Sequence, residues 1–272
     1  MVLFRRQAPF LPLAVAAVLV ASPAGAEDLP TLDRVDVHAA AAPATVESPE
    51  AAQARLDARA GGTGLVDGER YRQARVSTLA DALGLATGVF VQTRFGAEEA
   101  RLSIRGSGLQ RTFHGRGIAL LQDGSPLNLA DGAFDFQAVE PLAARYIEVY
   151  RGANALEYGA ATLGGAINFV SPTGYDAPAA LLRLEGGRYG YRRGQAALAG
   201  HDGAADAYLS VSAFGQDGFR AHAKQETYRL FGNAGYRFGD TLDGRLYLAH
   251  VDTRSELPGN LTLAQALSDP RA

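Results

Sequence analysis

The C-terminal third of the chain consists of short segments in which polar and apolar side chains alternate, separated by turns rich in Gly and Asp. In ADAYLSVSAFG, for example, Leu209 and Val211 fall on one face of an extended strand. Tyr208, Ser210 and Ser212 fall on the opposite face. Segments of about ten residues with this period are typical of a transmembrane β-barrel, and a soluble β-sandwich gives a similar pattern. The alternation therefore predicts antiparallel strands and leaves both architectures open.

The N-terminus has the layout of a cleavable signal peptide. Arg5 and Arg6 precede an apolar run at 10–21, and AGA at 24–26 is a small-residue cleavage site. The run is shorter than a membrane-spanning helix requires. We therefore expect 1–26 to be removed on export, and export without disulfides favours an outer-membrane barrel over a sandwich.

Composition and motifs exclude several function classes. The chain has no cysteine, so thiolate metal sites and cysteine nucleophiles are excluded, and its net charge of −3 argues against a nucleic-acid partner. The five histidines show no metal-ligand spacing. The sequence also lacks a P-loop, a complete dinucleotide fingerprint and a G-x-S-x-G elbow. We expect no enzymatic activity, no cofactor and no metal site.

Residues 27–70 are rich in Ala, Pro, Asp and Glu, and they predict an extended or disordered arm with a short helix within 49–60. One β-prone island, LDRVDVHA at 32–39, interrupts the arm. A strand-like segment of this kind can add to the edge of a partner's sheet. The alternative is an ordinary linker.

Residues 71–173 predict a small α+β domain. Thr78 and Asp81 have the spacing of a capping box, and the helix that they begin has an apolar face. Short β-type runs follow, separated by Gly-rich connections: VFVQT, RLSIR, IALLQDG, YIEVYRG and AINFV. The pattern predicts a mixed sheet with short helices.

The segment YIEVYRGANALEYGAATLGGAINFV resembles the closing part of the plug domain of TonB-dependent outer-membrane receptors. LADALGLATG, ARLSIRGSG and IALLQDGSPLN resemble the earlier plug motifs and occur in the same order, and LDRVDVHA occupies the place of the TonB box. Two positions depart from the family pattern. Thr87 stands where the family usually has Pro, and Gln122 interrupts the LLDG-P turn.

The resemblance implies an α+β plug followed by the first strands of a transmembrane antiparallel β-barrel of about 22 strands. The four expected regions are a signal peptide (1–26), a periplasmic arm with the TonB box (27–70), a plug (71–173) and an incomplete barrel (174–272). The chain is then the front part of a longer protein.

The resemblance also implies a transporter that imports a ferric chelate, such as a siderophore or ferric citrate, into the periplasm of a Gram-negative cell. Its partners are TonB with the inner-membrane proton-driven complex, the chelate and outer-membrane lipid. Haem, vitamin B12 and oligosaccharide importers of the same family are alternatives. A passive outer-membrane barrel for binding or adhesion and a periplasmic hydrolase are rivals from other classes.

Three sets of site residues follow from the resemblance and from the residue types. The residues predicted to pair with TonB are Leu32, Asp33, Arg34, Val35, Asp36, Val37, His38 and Ala39. Charges inside a barrel must be paired, and tight bends require Gly. The residues predicted to hold the plug together, on these grounds and from the match to the family's motifs, are Arg105, Asp123, Gly124, Glu148, Arg151, Gly152, Tyr158, Gly159, Gly164, Gly165 and Asn168.

Ligand contact is expected in the outward-facing loops at 106–117 and 128–137, where recognition normally resides. Cationic side chains there can hold an anionic chelate through charge-assisted hydrogen bonds, and phenyl rings can pack on its apolar part. The residues of these loops predicted to contact the ligand are Arg111, His114, Arg116, Phe134 and Phe136, and Arg94 in QTRFGAEEA is a further candidate.

Overall fold

The structure is a computed structural model, and it describes residues 46–272 except 75, 77, 94–99, 108–114, 135, 160–161 and 240–241. The predicted signal peptide and the predicted TonB-pairing residues 32–39 lie outside the described residues, as do Arg94, Arg111 and His114.

Strands dominate the described chain, and its helices are short. The α-helices are α1 (Pro49–Asp57), α2 (Gly68–Arg72), α3 (Leu79–Leu83) and α4 (Leu263–Ser268). The 3-10 helices are Phe136–Ala138, Pro141–Ala143 and Gly152–Tyr158. The strands are β1 (Gly62–Asp67), β2 (Val89–Thr93), β3 (Ala100–Ile104), β4 (Ile118–Gln122), β5 (Ser125–Pro126), β6 (Tyr146–Arg151), β7 (Gly165–Val170), β8 (Ala180–Gly186), β9 (Arg192–Asp202), β10 (Ala205–Gln216), β11 (Gln225–Arg237) and β12 (Asp243–Ser255).

None of the helices that the structure describes combines the length and the hydropathy that a membrane span requires.

The first sheet has the strand order β1-β6-β7-β4-β5, with β4 and β7 parallel and the other neighbours antiparallel. β7 (GAINFV) is buried along its whole length and β6 (YIEVYR) along most of it, so they form the centre. The β2–β3 hairpin and α3 pack on this sheet around Leu83, Leu102 and Ile147, and the predicted capping box at Thr78 and Asp81 is present. Residues 49–170 therefore form a mixed sheet with short helices, as predicted, and we call them the α+β domain.

The α+β domain includes residues that the sequence predicts to be an extended arm. The helix expected within 49–60 is α1, which begins where the Ser48 hydroxyl accepts a hydrogen bond from the Ala51 N–H at 3.2 Å. Its Ala52 and Leu56 are fully buried. β1 then pairs with the edge of β6, although its sequence, GTGLVD, has two glycines and little strand propensity. Tertiary pairing outweighs local propensity here, while the predicted boundary at residue 70 stays a prediction.

The second sheet, which we call the wall, is an antiparallel meander of β8 to β12 in sequential order. In β10, Tyr208, Ser210 and Ser212 are buried, whereas Leu209 and Val211 are exposed. The buried face lies against the α+β domain, where Tyr208 and Ala143 belong to one cluster. Further exposed leucines of the wall are Leu182, Leu184, Leu198, Leu246 and Leu248. A wall that is polar inside and apolar outside has the opposite order to a soluble sandwich and matches a barrel wall in lipid.

Candidate functional site

The α+β domain and the wall meet along a polar boundary, which we call the seam. At its centre, Glu140 precedes the 3-10 helix Pro141–Ala143 and accepts a hydrogen bond from the Leu142 N–H at 3.1 Å. Arg193 of β9 donates to one Glu140 carboxylate oxygen at 2.6 Å. The Ser212 hydroxyl donates to the other oxygen at 2.6 Å, and Arg229 of β11 lies 3.6 Å from it. One carboxylate thus joins the domain to three strands of the wall.

This cluster is shielded from water, since the Glu140, Arg193 and Arg229 side chains are only 5%, 3% and 6% exposed. Burial alone would raise the pKa of Glu140, but the charges of Arg193 and Arg229 and the Ser212 hydrogen bond hold it below its ordinary value. The carboxylate is therefore ionised in the folded protein. A buried charge of this kind is stable only while its partners stay in place.

Wall side chains also bind the backbone of the α+β domain. Arg193 donates a second hydrogen bond, to the Val76 carbonyl at 2.5 Å, and Arg229 donates to the Gln137 carbonyl at 3.0 Å. Gln195 of β9 donates to the Leu142 carbonyl at 3.2 Å.

Arg183 of β8 repeats the pattern at the connection that follows α2. It donates to the Ala74 carbonyl at 2.8 Å and also to the Arg72 carbonyl. The wall thus supplies donors to carbonyl oxygens, which every residue carries.

A second buried cluster holds the chain where it passes from the domain into the wall. Asn233 of β11 donates to the Pro172 carbonyl at 2.9 Å, and the Gly174 N–H donates to Asp206 at 3.0 Å. Arg245 of β12 donates to Asp206 at 2.6 Å and to Asn233 at 2.5 Å. A Cβ on Gly174 would lie 2.0 Å from the Gly200 carbonyl oxygen, so the backbones can approach this closely only at glycine.

A third cluster lies inside the domain, around Glu148 of β6. Arg55 of α1 donates to one Glu148 oxygen at 2.5 Å. The Tyr150 hydroxyl and the Asn168 amide donate to the other at 3.1 and 2.9 Å. Asn168 also accepts from the Gly124 N–H at 2.9 Å. The predicted residues Gly124, Glu148 and Asn168 therefore share one network, which ties α1 to the sheet.

The turn that precedes Gly124 is held from the other side. Asp123 and Gly124 both have positive φ, 51° and 76°, as the central residues of a type I′ hairpin turn do. The Asp123 carboxylate accepts hydrogen bonds from the backbone and hydroxyl of Ser171, both at 2.7 Å. Burial raises the pKa of Asp123, although the Ser171 hydrogen bonds oppose this shift.

Comparisons with known proteins decide the family of the domain. A family model described as the TonB-dependent Receptor Plug Domain matches residues 58–166. The α+β domain is a TonB-dependent receptor plug.

Solved structures share the fold of the plug and of the wall. The unliganded ferric citrate transporter FecA matches with a TM-score of 0.64 at 18% identity, over 82% of this chain and 36% of that one. The siderophore receptor PirA from Acinetobacter baumannii matches with 0.55 at 15% identity, over 76% and 33%. The copper transporter OprC matches with 0.56 at 16% identity, over 73% and 31%. The matched residues of this chain outnumber those of the plug, so the similarity includes strands of the wall. The chain spans 31% to 36% of the length of those proteins.

The other charged residues predicted to hold the plug together lie near β1. Arg151 of β6 donates to the Thr63 carbonyl at 2.6 Å and to the Thr87 carbonyl at 2.7 Å. Arg105, with φ of 53°, lies over Gly152, where a Cβ would come 2.3 Å from its guanidinium. Both side chains cover backbone rather than meeting a carboxylate in these contacts, and their structural role stays a prediction.

The remaining predicted plug residues follow β6. Tyr158 stacks edge to face on Tyr150 with ring centroids 5.2 Å apart, and burial raises its pKa. A Cβ on Gly165 would lie 2.2 Å from the Tyr150 carbonyl oxygen, and one on Gly164 would lie 2.5 Å from the Ser107 side chain. Gly159 has φ of 102°, a conformation that side chains rarely adopt. These positions favour glycine on steric grounds.

The three described residues predicted to contact the ligand occupy different environments. Arg116 is partly exposed and pairs with Asp131. Phe134 and Phe136 instead lie in the plug core, 0% and 7% exposed, with ring centroids 5.0 Å apart. The loop turns both rings inward, and Phe134 fills the space over Gly115 that a Cβ would occupy, while contact of these residues with a ligand stays a prediction.

The seam residues were missed by the sequence prediction. Glu140 stands in an unremarkable VEPL context, and its partners Arg193 and Arg229 lie 53 and 89 residues later. One signal was available. An arginine on the polar face of an alternating segment, such as Arg193 or Arg229, faces the barrel interior, where it requires a partner.

Proposed function

We propose that this plug and wall belong to a TonB-dependent transporter of a Gram-negative outer membrane, which imports a ferric chelate into the periplasm. The observation that carries this proposal is the orientation of the two faces of the wall. The polar face lies against the plug, and the apolar face is exposed. A polar solute can cross the membrane only along the polar face of such a wall, and the plug occupies that space. Passage therefore requires the plug to rearrange.

The apolar face has the height of an outer-membrane span. Tyr228 and Tyr236 both lie on the exposed face of β11, with Gly232 midway between them. Eight residues at 3.3 Å each, tilted by about 40°, cover roughly 20 Å, close to the apolar band of about 25 Å between aromatic girdles. This placement puts the 187–191 and 217–224 loops at one surface of the membrane and the 203–204 turn at the other.

Rearrangement of the plug requires work. The buried ion pairs of Glu140 and the carbonyl contacts of the wall must break, and a broken buried ion pair is costly. We propose that TonB supplies this work from the proton-driven inner-membrane complex, by pairing with residues 32–39 through strand addition. A passive binding or adhesion barrel would not need this segment.

The choice of ligand is supported by the names of similar structures. They include the siderophore receptor PirA and the ferric citrate transporter FecA, and they also include the copper transporter OprC. A ferric siderophore or ferric citrate is therefore our proposed ligand class. Haem, vitamin B12 and oligosaccharides are the alternatives, and no described contact favours them.

The test is uptake of radioactive iron, given as ferric citrate or as a ferric siderophore, by cells that carry the protein. Val37→Pro removes a backbone donor from the proposed pairing strand, so we expect uptake to stop while iron binding at the cell surface persists. Ala41→Pro, just outside the segment, is the matched control and should transport normally. Uptake that persists in the Val37→Pro variant contradicts coupling to TonB and favours the passive barrel.

A further inference from the structure

We propose that Tyr189, Phe219 and Arg271 form a binding subsite for a planar aromatic anion, which narrows the ferric chelate of the proposed function to one with aromatic iron-binding groups. We call these three residues the loop cluster. The inference rests on the proposed function for its membrane placement, and on the contacts below for its chemistry.

The loop cluster joins two connections of the wall and the segment that follows β12. Tyr189 lies between β8 and β9, Phe219 lies between β10 and β11, and Arg271 follows α4. The two rings meet edge to face with centroids 5.6 Å apart and planes at 85°. The Arg271 guanidinium lies 5.5 Å from the centre of the Phe219 ring, within the range of a cation–π contact.

Backbone hydrogen bonds hold the three segments together. The Tyr189 carbonyl accepts from the Asp217 N–H at 2.8 Å and from the Gly218 N–H at 3.2 Å. The Arg271 carbonyl accepts from the Ala221 N–H at 2.7 Å. Tyr189 has φ of 59°, a conformation that a tyrosine keeps only when its surroundings hold it. The loop cluster is therefore organised before any ligand arrives.

These rings remain accessible although they are large and apolar. Tyr189 is 48% exposed and Phe219 is 45% exposed. They also lie outside the apolar band, because β10 continues for three residues beyond Ala213, the partner of Tyr228. Three residues rise by roughly 8 Å along the membrane normal at the usual strand tilt. Lipid tails therefore do not cover these rings.

The chemistry of the loop cluster selects its ligand. An exposed ring face gains from stacking on another planar ring, and a guanidinium beside it attracts an anion through charge-assisted hydrogen bonds. An aromatic anion makes both contacts, whereas an aliphatic anion makes only the second. The loop cluster should thus prefer an iron complex of aromatic ligands to ferric citrate.

The molecule supplies a matched control at the opposite end of the strands. Tyr236 and Phe238 form a second edge-to-face pair with centroids 4.8 Å apart, and they are 50% and 66% exposed. Phe238→Leu therefore removes a comparable exposed ring from the other surface of the membrane. Arg254→Gln, at an arginine that is 81% exposed, is the matched control for Arg271→Gln.

The experiment is equilibrium dialysis of the protein in detergent against two radioactive iron(III) complexes, one of 2,3-dihydroxybenzoate and one of citrate. We expect the protein to bind the aromatic complex more tightly. Phe219→Leu and Arg271→Gln should each weaken that binding by about threefold to tenfold and leave citrate binding less affected. Phe238→Leu and Arg254→Gln should change neither.

Equal effects of Phe219→Leu and Phe238→Leu would overturn the subsite, as would a wild-type protein that binds neither complex or prefers citrate. Loss of co-purified lipopolysaccharide in the Phe219→Leu variant, with unchanged binding of the aromatic complex, would assign the loop cluster to the membrane surface and also overturn the proposal. None of these results touches the transport test, because the Val37→Pro variant has an intact loop cluster. Circular dichroism of each variant confirms that it is folded.

Discussion

In the plug, Leu120 of β4 and Ile167 of β7 face each other across a parallel pair and are fully buried. In the wall, Leu209 of β10 is 43% exposed and Leu248 of β12 is 58% exposed, and Ser210 beside Leu209 is buried. The plug strands β4 and β7 are buried on both faces along most of their length, whereas β10 of the wall alternates between buried and exposed residues. Leucine side chains are therefore enclosed in the plug and exposed on the outer face of the wall, so the two regions place the same residue type in opposite surroundings.

The seam is where these two arrangements meet. The plug brings its backbone carbonyls and one carboxylate, and the wall brings arginines, amides and a hydroxyl. Polar groups that would be costly inside either core bind each other here. The following predictions alter one region at a time, so that the two can be compared directly.

The largest effect is expected for a charge placed in the plug core. Leu120→Arg puts a guanidinium into a fully buried position that has no partner prepared for it. We expect more than about 4 kcal/mol of destabilisation, enough to unfold the plug. Hydrogen exchange of β4, β6 and β7 measures it, and protection at the wild-type level would contradict the buried position of Leu120.

The next effect concerns the seam. Glu140→Ala leaves Arg193 and Arg229 buried without their carboxylate, and removal of one partner from a buried pair costs about 3–5 kcal/mol. Exchange of the amides around Pro141–Ala143 should rise sharply. Glu69→Ala is the control, because Glu69 pairs with Arg72 while it is 65% exposed, and its cost should stay below about 1 kcal/mol.

The same Leu→Arg change on the wall should cost less than it does in the plug. Leu209 lies opposite Gly232, midway between Tyr228 and Tyr236. Leu209→Arg should reduce folding into lipid vesicles by roughly 2–4 kcal/mol, the cost of an arginine at the midplane of a membrane barrel. Leu242→Arg, in the turn after β11, should be nearly neutral. Equal costs for the two variants would mean that the exposed face of the wall does not contact lipid tails.

A smaller effect tests whether the wall recognises backbone. Arg183→Met removes the donors to the Arg72 and Ala74 carbonyls, and we expect about 1–3 kcal/mol of lost stability. Ala74→Ser changes the plug side chain at the same contact but keeps its carbonyl, so it should have almost no effect. The thermal unfolding temperatures of both variants test this prediction. A large effect of Ala74→Ser would show that the wall recognises the plug side chain and not only its backbone.

The last effect is confined to acidic solution. Since the folded pKa of Glu140 lies below its ordinary value of 4.5, its ionised form stabilises the protein at higher pH, and this contribution is lost as the pH falls through the folded pKa. The advantage of the wild type over Glu140→Gln should thus shrink in acid. Asp123 has a raised pKa, so its contribution is greatest in acid and falls as the pH rises. The advantage of the wild type over Asp123→Asn should therefore shrink as the pH rises. The free energy of unfolding of both variants, measured against pH, tests the two trends.

The motifs of the plug could be predicted from the sequence because they are local. Gly124 has a positive φ, a Cβ on Gly165 would lie 2.2 Å from the Tyr150 carbonyl oxygen, and the capping box at Thr78 depends on a residue three positions away. Val211 and Ser212 show the alternation of the wall in the same direct manner. Patterns of this kind leave a mark within a few residues of the chain.

The long-range contacts of the seam could not be predicted, for a physical reason. The carbonyls of Val76 and Leu142 accept hydrogen bonds from the wall whatever their side chains are, so the plug sequence carries no sign of the contact. Strand β1 depends in the same way on the open edge of β6. The inward turn of Phe134 is set by the space over Gly115, a neighbour that no sequence period indicates.

The use of carbonyls as acceptors also bears on how such proteins diversify. A wall that holds Arg72, Ala74, Val76 and Gln137 by their backbones places few demands on those side chains. A plug from a distant receptor could therefore be grafted into this wall, provided that its chain follows the same path and supplies an acid at position 140. Recombination between genes could then exchange plugs without refitting each wall, and new combinations could arise in a single step.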